Sequence, residues 1–157
     1  MDRICIKVKR VGTAYCGGMP RYMSESASGM DLFANLAEDL VLNPGERGLI
    51  PTGIALAIPD GYEGQVRARS GLAIKHGIGV MNSPGTIDSD YRGEIRIVLV
   101  NLGSEPFVVR NGSRVAQLVI SPVMRADLEE VESLPETPRN EGGFGHTDPS
   151  SGSGWGA

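Results

Sequence analysis

Two carboxylates, a tyrosine and an arginine share one short turn in GTIDSDYRGEIRIVLVN, residues 85–101, and the chain then runs directly into an apolar strand. Charge held at the mouth of a segment that must be buried is where a carboxylate can activate water or orient a polar ligand. Upstream, GIGVMNSPGTIDSD (residues 77–90) sets two β-prone pieces around Asn82, Ser83, Pro84 and Gly85. Pro at the second and Gly at the third turn position suit a type II turn and predict a tight hairpin. Its exposed main-chain N–H and C=O groups would read the edge of a flat base, with the Asn82 amide both donating and accepting. Asp88, Asp90 and Tyr91 then lie just beyond that reader. Composition alone reads the same carboxylates as solvated turn residues and Tyr91 as a cover on the core.

Other chemistries find little support. The two histidines, His76 and His146, stand far apart, and no His/Cys cluster offers a zinc site. Cys5 and Cys16 lack C-x-x-C spacing, and the alternating N-terminal residues form no signal-peptide core, so a reduced, cytoplasmic setting is expected. A formal charge of −4 gives no general electrostatic grip on nucleic acid, so any phosphate site must be local. No run approaches the ~18 apolar residues of a membrane span.

The elements that must hold this turn are short and β-prone. With 157 residues and 40% hydrophobic content, the chain suits one domain with a real core. Gly and Pro punctuate it at Asn43-Pro44-Gly45, Pro59-Asp60-Gly61, Ser83-Pro84-Gly85 and Asn111-Gly112. Strands are predicted over 4–8, 41–42, 52–58, 94–101, 107–109 and 115–120, and a single helical turn over 70–76. The fold class is therefore all-β, a jelly-roll-like barrel or sandwich of many short strands with little helix. After Leu134 the composition turns to Pro, Glu, Gly, Ser and Thr, too little apolar surface to offset its ordering entropy. Residues 1–134 are expected to form the β domain and 135–157 a flexible arm.

Residues 85–93, GTIDSDYRG, resemble the third motif of the trimeric dUTP diphosphatase family. Four further motifs follow the family's order: ASGMDLFA (27–34), RARSGLA (67–73), GSRVAQL (112–118) and RNEGGFGHT (139–147). The resemblance implies hydrolysis of dUTP to dUMP and pyrophosphate by water attack on the α-phosphorus, with Mg²⁺ held mainly by phosphate oxygens and water and with no direct protein ligand. It implies a homotrimer whose sites are shared between subunits, and no nucleic-acid or membrane partner.

Residue by residue, the resemblance makes Asp88 the water-activating carboxylate and gives Asp31 an orienting role near the catalytic water or the metal's hydration shell. Asn82, Thr86 and Ile87 belong to the base reader, Tyr91 packs against C2′ of the deoxyribose, and Arg96 contributes a main-chain contact. Arg69, Ser70, Gly71 and Gln117 meet phosphate. In the arm, Arg139 reaches the γ-phosphate, Phe144 covers uracil, and Gly145, His146 and Thr147 let backbone N–H groups approach oxygen. Ala68 stands where proline is common, which removes a φ restraint, and Asp148 where glycine is frequent. Two rivals are a dCTP deaminase of similar fold and a noncatalytic nucleotide sensor. Tyr91 followed by the Phe144 arm speaks against the first, and the joint presence of Asp88, Gln117, Arg139 and Phe144 against the second.

Overall fold

The computed structural model describes residues 3–12 and 17–143, among which eleven strands and one short helix are found. The strands are β1 (Lys7–Arg10), β2 (Arg21–Tyr22), β3 (Met30–Phe33), β4 (Leu40–Leu42), β5 (Arg47–Ala57), β6 (Tyr62–Arg67), β7 (Ile78–Val80), β8 (Gly85–Ile87), β9 (Glu94–Asn101), β10 (Phe107–Val109) and β11 (Arg114–Pro122). The helix α1 spans Ser70–His76. The predicted all-β class holds. Three antiparallel sheets of order β1-β5-β9-β7, β10-β4 and β2-β3-β11-β6-β8 stay open, so the barrel of the expected "barrel or sandwich" does not close.

Alternation explains how the sheets share one core. On β9, Ile95, Ile97 and Leu99 are at most 1% exposed, whereas Arg96 between them is exposed. Ile50 and Ile54 of β5, Leu32 of β3 and Leu118 of β11 join the same cluster. Each such side chain contributes roughly 1.5–3 kcal/mol on leaving water. Asn101 is a buried polar residue at the end of β9, and its amide is satisfied: Nδ2 donates to the carbonyls of Leu42 and Glu105, both at 2.8 Å, and Oδ1 accepts from Gly103 N–H at 2.9 Å.

Helix α1 ends as its sequence dictates. Lys75 places positive charge in the last turn, and Gly77 takes the left-handed φ of 66° that closes the helix with an N–H bond to the Ala73 carbonyl at 2.9 Å. Gly77 packs directly on Gly103: a Cβ on Gly103 would stand 2.4 Å from the His76 carbonyl oxygen.

The expected hairpin at residues 82–85 does not form. β7 pairs with β9 in one sheet and β8 with β6 in the other, so the intervening turn crosses between sheets. Two three-residue strands are too short to hold each other, and each gains more by adding to a longer neighbour. Nor is the turn type II. Gly85 is not among the glycines of positive φ, and the Ser83–Pro84 bond is cis.

The chain divides into two units at Met124 and Arg125. Described residues 125–143 of the second contain no helix or strand. They include a turn in which Thr137 and Asn140 bond reciprocally, Thr137 N–H to Asn140 Oδ1 at 2.7 Å and Asn140 N–H to Thr137 Oγ1 at 3.0 Å.

Candidate active site

Sheet register brings the first polar cluster together. Arg21 lies opposite Asp31, Asp31 opposite Gln117, and Gln117 opposite Arg67, so one row of polar residues crosses β2, β3, β11 and β6. Residues in such a row share a face. Asp31 is only 1% exposed, a costly place for a carboxylate unless its oxygens are bonded. They are: Oδ2 accepts from Arg114 Nη1 at 3.0 Å, and Oδ1 accepts from Gln117 Nε2 at 3.2 Å with Arg69 Nε 3.6 Å away. Arg69 also donates to the Arg114 carbonyl at 3.1 Å. The half-buried amide of Gln117 thus finds the partner that its place in an apolar strand demands. Ser70 and Gly71 follow Arg69 into α1, are exposed, and begin a helix that no side chain caps. First-turn N–H groups that lack intrahelical partners suit an anion.

The second assembly is a cleft of about 490 Å³ where β8, the turn after it and β9 meet. It brings together Asn82, Thr86, Ile87, Asp88, Tyr91 and Arg96, six residues expected from sequence, and adds Gly93 and Glu94. Asp88 is exposed on its wall. The turn is held by Tyr91 N–H on the Asp88 carbonyl at 3.2 Å and by Arg92 Nη1 on the carbonyls of Ser89 (2.6 Å) and Tyr91 (2.9 Å). Tyr91 folds back over Gly93, where a Cβ would lie 2.5 Å from its ring carbon Cζ, and its hydroxyl donates to the Glu94 carbonyl at 3.0 Å. A tyrosine so fixed presents a rigid face. Asp90 is exposed on the same turn and does not line the cleft.

Neither Asp31, Arg69, Ser70, Gly71 nor Gln117 lines this cleft, so within the first unit the cleft and the cationic cluster are separate. Arg139 belongs to the second unit, where its Nε donates to the Gly142 carbonyl at 2.7 Å. Phe144, Gly145, His146 and Thr147 lie outside the described residues, as does Cys16; Cys5 is a free, exposed thiol. No group of three or more His, Cys, Asp or Glu side chains suited to a metal occurs among the described residues. No described helix is long and apolar enough to cross a membrane.

Reading by type and spacing missed Glu94, taken only as the first residue of β9. It carries a cleft-lining carboxylate whose Oε1 accepts from Gly53 N–H at 2.9 Å and whose Oε2 accepts from Arg96 Nε at 3.1 Å. A signal was present: an acid heading an apolar strand while another strand is broken by Pro51, Thr52 and Gly53.

The described residues of the first unit thus present a cleft lined by Asn82, Asp88 and Tyr91 and, apart from it, a cluster of arginines about Asp31. A family model described as dUTPase matches residues 17–148, and the chain belongs to the dUTPase family. The "Deoxyuridine 5'-triphosphate nucleotidohydrolase" of Syntrophotalea carbinolica is 60% identical over 147 residues, 94% of this chain and 99% of that relative. A Staphylococcus bacteriophage 80alpha dUTPase mutant solved with dUpNHpp has a TM-score of 0.81 at 27% identity, over 91% of this chain and 98% of that one. A mutant dUTPase from phage phi11 of S. aureus, reported with a coordinated structural Mg(II) ion, has a TM-score of 0.73 at 26% identity, over 83% and 98%.

Proposed function

We propose that the protein is a dUTP diphosphatase, hydrolysing dUTP to dUMP and pyrophosphate by attack of water on the α-phosphorus. In a reducing cytoplasm this would limit uracil incorporation into DNA and supply dUMP for dTMP synthesis. The observation that carries the reading is the cleft in which the Asn82 amide, the folded-back Tyr91 ring and the exposed Asp88 carboxylate converge.

Asn82 and the main chain of Thr86 and Ile87 read the uracil edge. The Tyr91 ring lies against C2′, where a ribose hydroxyl would lose hydration and gain no partner. Asp88 takes a proton from water, and its exposure leaves its oxygens open to that water. Arg96 borders the nucleotide through its main chain. Asp31, with both oxygens engaged, acts by orienting: it holds Gln117 and Arg69 where they and the Ser70 and Gly71 N–H groups can meet phosphate. Arg139 meets the γ-phosphate, with Phe144 over uracil and Gly145, His146 and Thr147 close to oxygen.

Mg²⁺ fits this reading as a companion of the triphosphate. Asp31 is already bonded to nitrogen donors, and the hard cation is satisfied by phosphate oxygens and water. When bound, it neutralises charge along the triphosphate. The separation of the cleft from the cationic cluster supports a homotrimer in which different copies supply the two, and the arm of a third completes the site.

Hydrolysis in ¹⁸O-labelled water tests the reaction. The label is expected in dUMP. Label in the diphosphate and never in dUMP would place the attack on the β-phosphorus and overturn the mechanism.

A further inference from the structure

We propose that Glu94 is a positioning residue that sets discrimination against ribose by clamping the Tyr91 turn to a bulge in β5; the proposal rests on the dUTP reading. The ladder between β5 and β9 is broken: Pro51 pairs with Arg96 and Ala55 with Glu94, so three residues, Thr52, Gly53 and Ile54, face Ile95 alone. A bulge of this kind leaves main-chain groups outside the ladder. Gly53, with φ of 68°, turns its N–H out of register.

Two side chains repair the break. The Thr52 hydroxyl, buried, donates to the Ile95 carbonyl at 2.7 Å, and Glu94 Oε1 accepts from Gly53 N–H at 2.9 Å. The Glu94 side chain is only 14% exposed, and its second oxygen holds Arg96 Nε at 3.1 Å, on the outward face of β9 at the cleft. The main-chain carbonyl of the same residue receives the Tyr91 hydroxyl at 3.0 Å. Glu94 therefore joins three things: the β5 bulge, the Arg96 guanidinium and the phenol that fixes the ring expected to face C2′. Release of the carboxylate leaves residue 94 held to β5 by its pairing with Ala55 alone, and loosens the anchor of Tyr91. The ring then yields to a 2′-hydroxyl that it otherwise excludes.

The test compares kcat/KM for dUTP and UTP in wild type, Glu94→Ala, Glu94→Gln, Tyr91→Phe and the Glu94→Ala/Tyr91→Phe double variant. Glu94→Ala is expected to lower the dUTP-to-UTP ratio roughly tenfold, the equivalent of about one net hydrogen bond, mainly through improved use of UTP. Glu94→Gln, whose amide oxygen still accepts from Gly53, restores most of the ratio. Both changes act through one anchor, so the double variant shows no further loss beyond the single ones. A merely structural role would lower activity on both substrates in proportion and leave the ratio unmoved, and that result overturns the proposal. So would two losses that multiply in the double variant. Should Glu94→Ala fail to fold, Tyr91→Phe decides: a ratio equal to wild type refutes the anchor. A wild type without preference for dUTP over UTP would sink the functional reading and this proposal with it. Intact preference in both wild type and Glu94→Ala would sink this proposal alone.

Discussion

At the scale of single residues, burial separates the two aspartates that the motifs single out. Asp31 is enclosed and fully engaged, so it holds other groups; Asp88 is exposed at the cleft and free to meet water. Asp88→Asn is expected to bind nucleotide normally while turnover falls roughly 10²- to 10⁴-fold, the usual size of a general-base contribution. Single-turnover kinetics beside nucleotide titration would check it, and near-normal turnover would remove Asp88 from the chemistry. Asp88 and Tyr91 were legible because the motif around them names them. The bond between Gln117 and Asp31 was half legible: an amide in an apolar strand announces a partner but not which one, since 86 positions separate the two and only sheet register joins them. Glu94 was legible only as an acid heading an apolar strand, because its partner, the Gly53 N–H, lies 41 positions away.

At the scale of elements, local pattern and local structure agree for some elements and not for others: alternation placed a first strand over 4–8, whereas β1 runs over Lys7–Arg10, where it pairs with β5. β9 and β10 fall on the predicted residues because alternation and turn residues bound them, and α1 does so because Gly77 ends it. β7 and β8 were misread as one hairpin because their true partners are distant strands, and pattern carries no pairing information across such a span. The docking of α1 shows what tertiary contact adds. Gly103 must be glycine for the helix end to approach the loop after β9. Gly103→Ala should therefore destabilise the fold by about 1–3 kcal/mol, the usual range for an overpacked contact, and raise KM for the triphosphate by displacing Ser70 and Gly71. Denaturant unfolding measures the first effect. An unchanged midpoint would show that the loop yields without cost.

At the scale of the whole molecule, the sequence motifs follow a single order along the chain, while the structure distributes their residues over separate places. The base-and-sugar cleft gathers the third motif; Asp31, Arg69, Arg114 and Gln117 gather the first, second and fourth; Arg139 belongs to a unit of its own. Pattern made the all-β class legible, but it could not show that the sheets stay open, because closure depends on which edges pair. In the proposed reaction these residues together recognise one nucleotide and cleave it once. Release of pyrophosphate from equal concentrations of dUTP, dCTP, dTTP and UTP tests it most directly, with ammonia assayed alongside for dCTP. Rapid pyrophosphate release is expected from dUTP, little from the other three, and no ammonia. Equal release from all four, or ammonia from dCTP without pyrophosphate from dUTP, would contradict it.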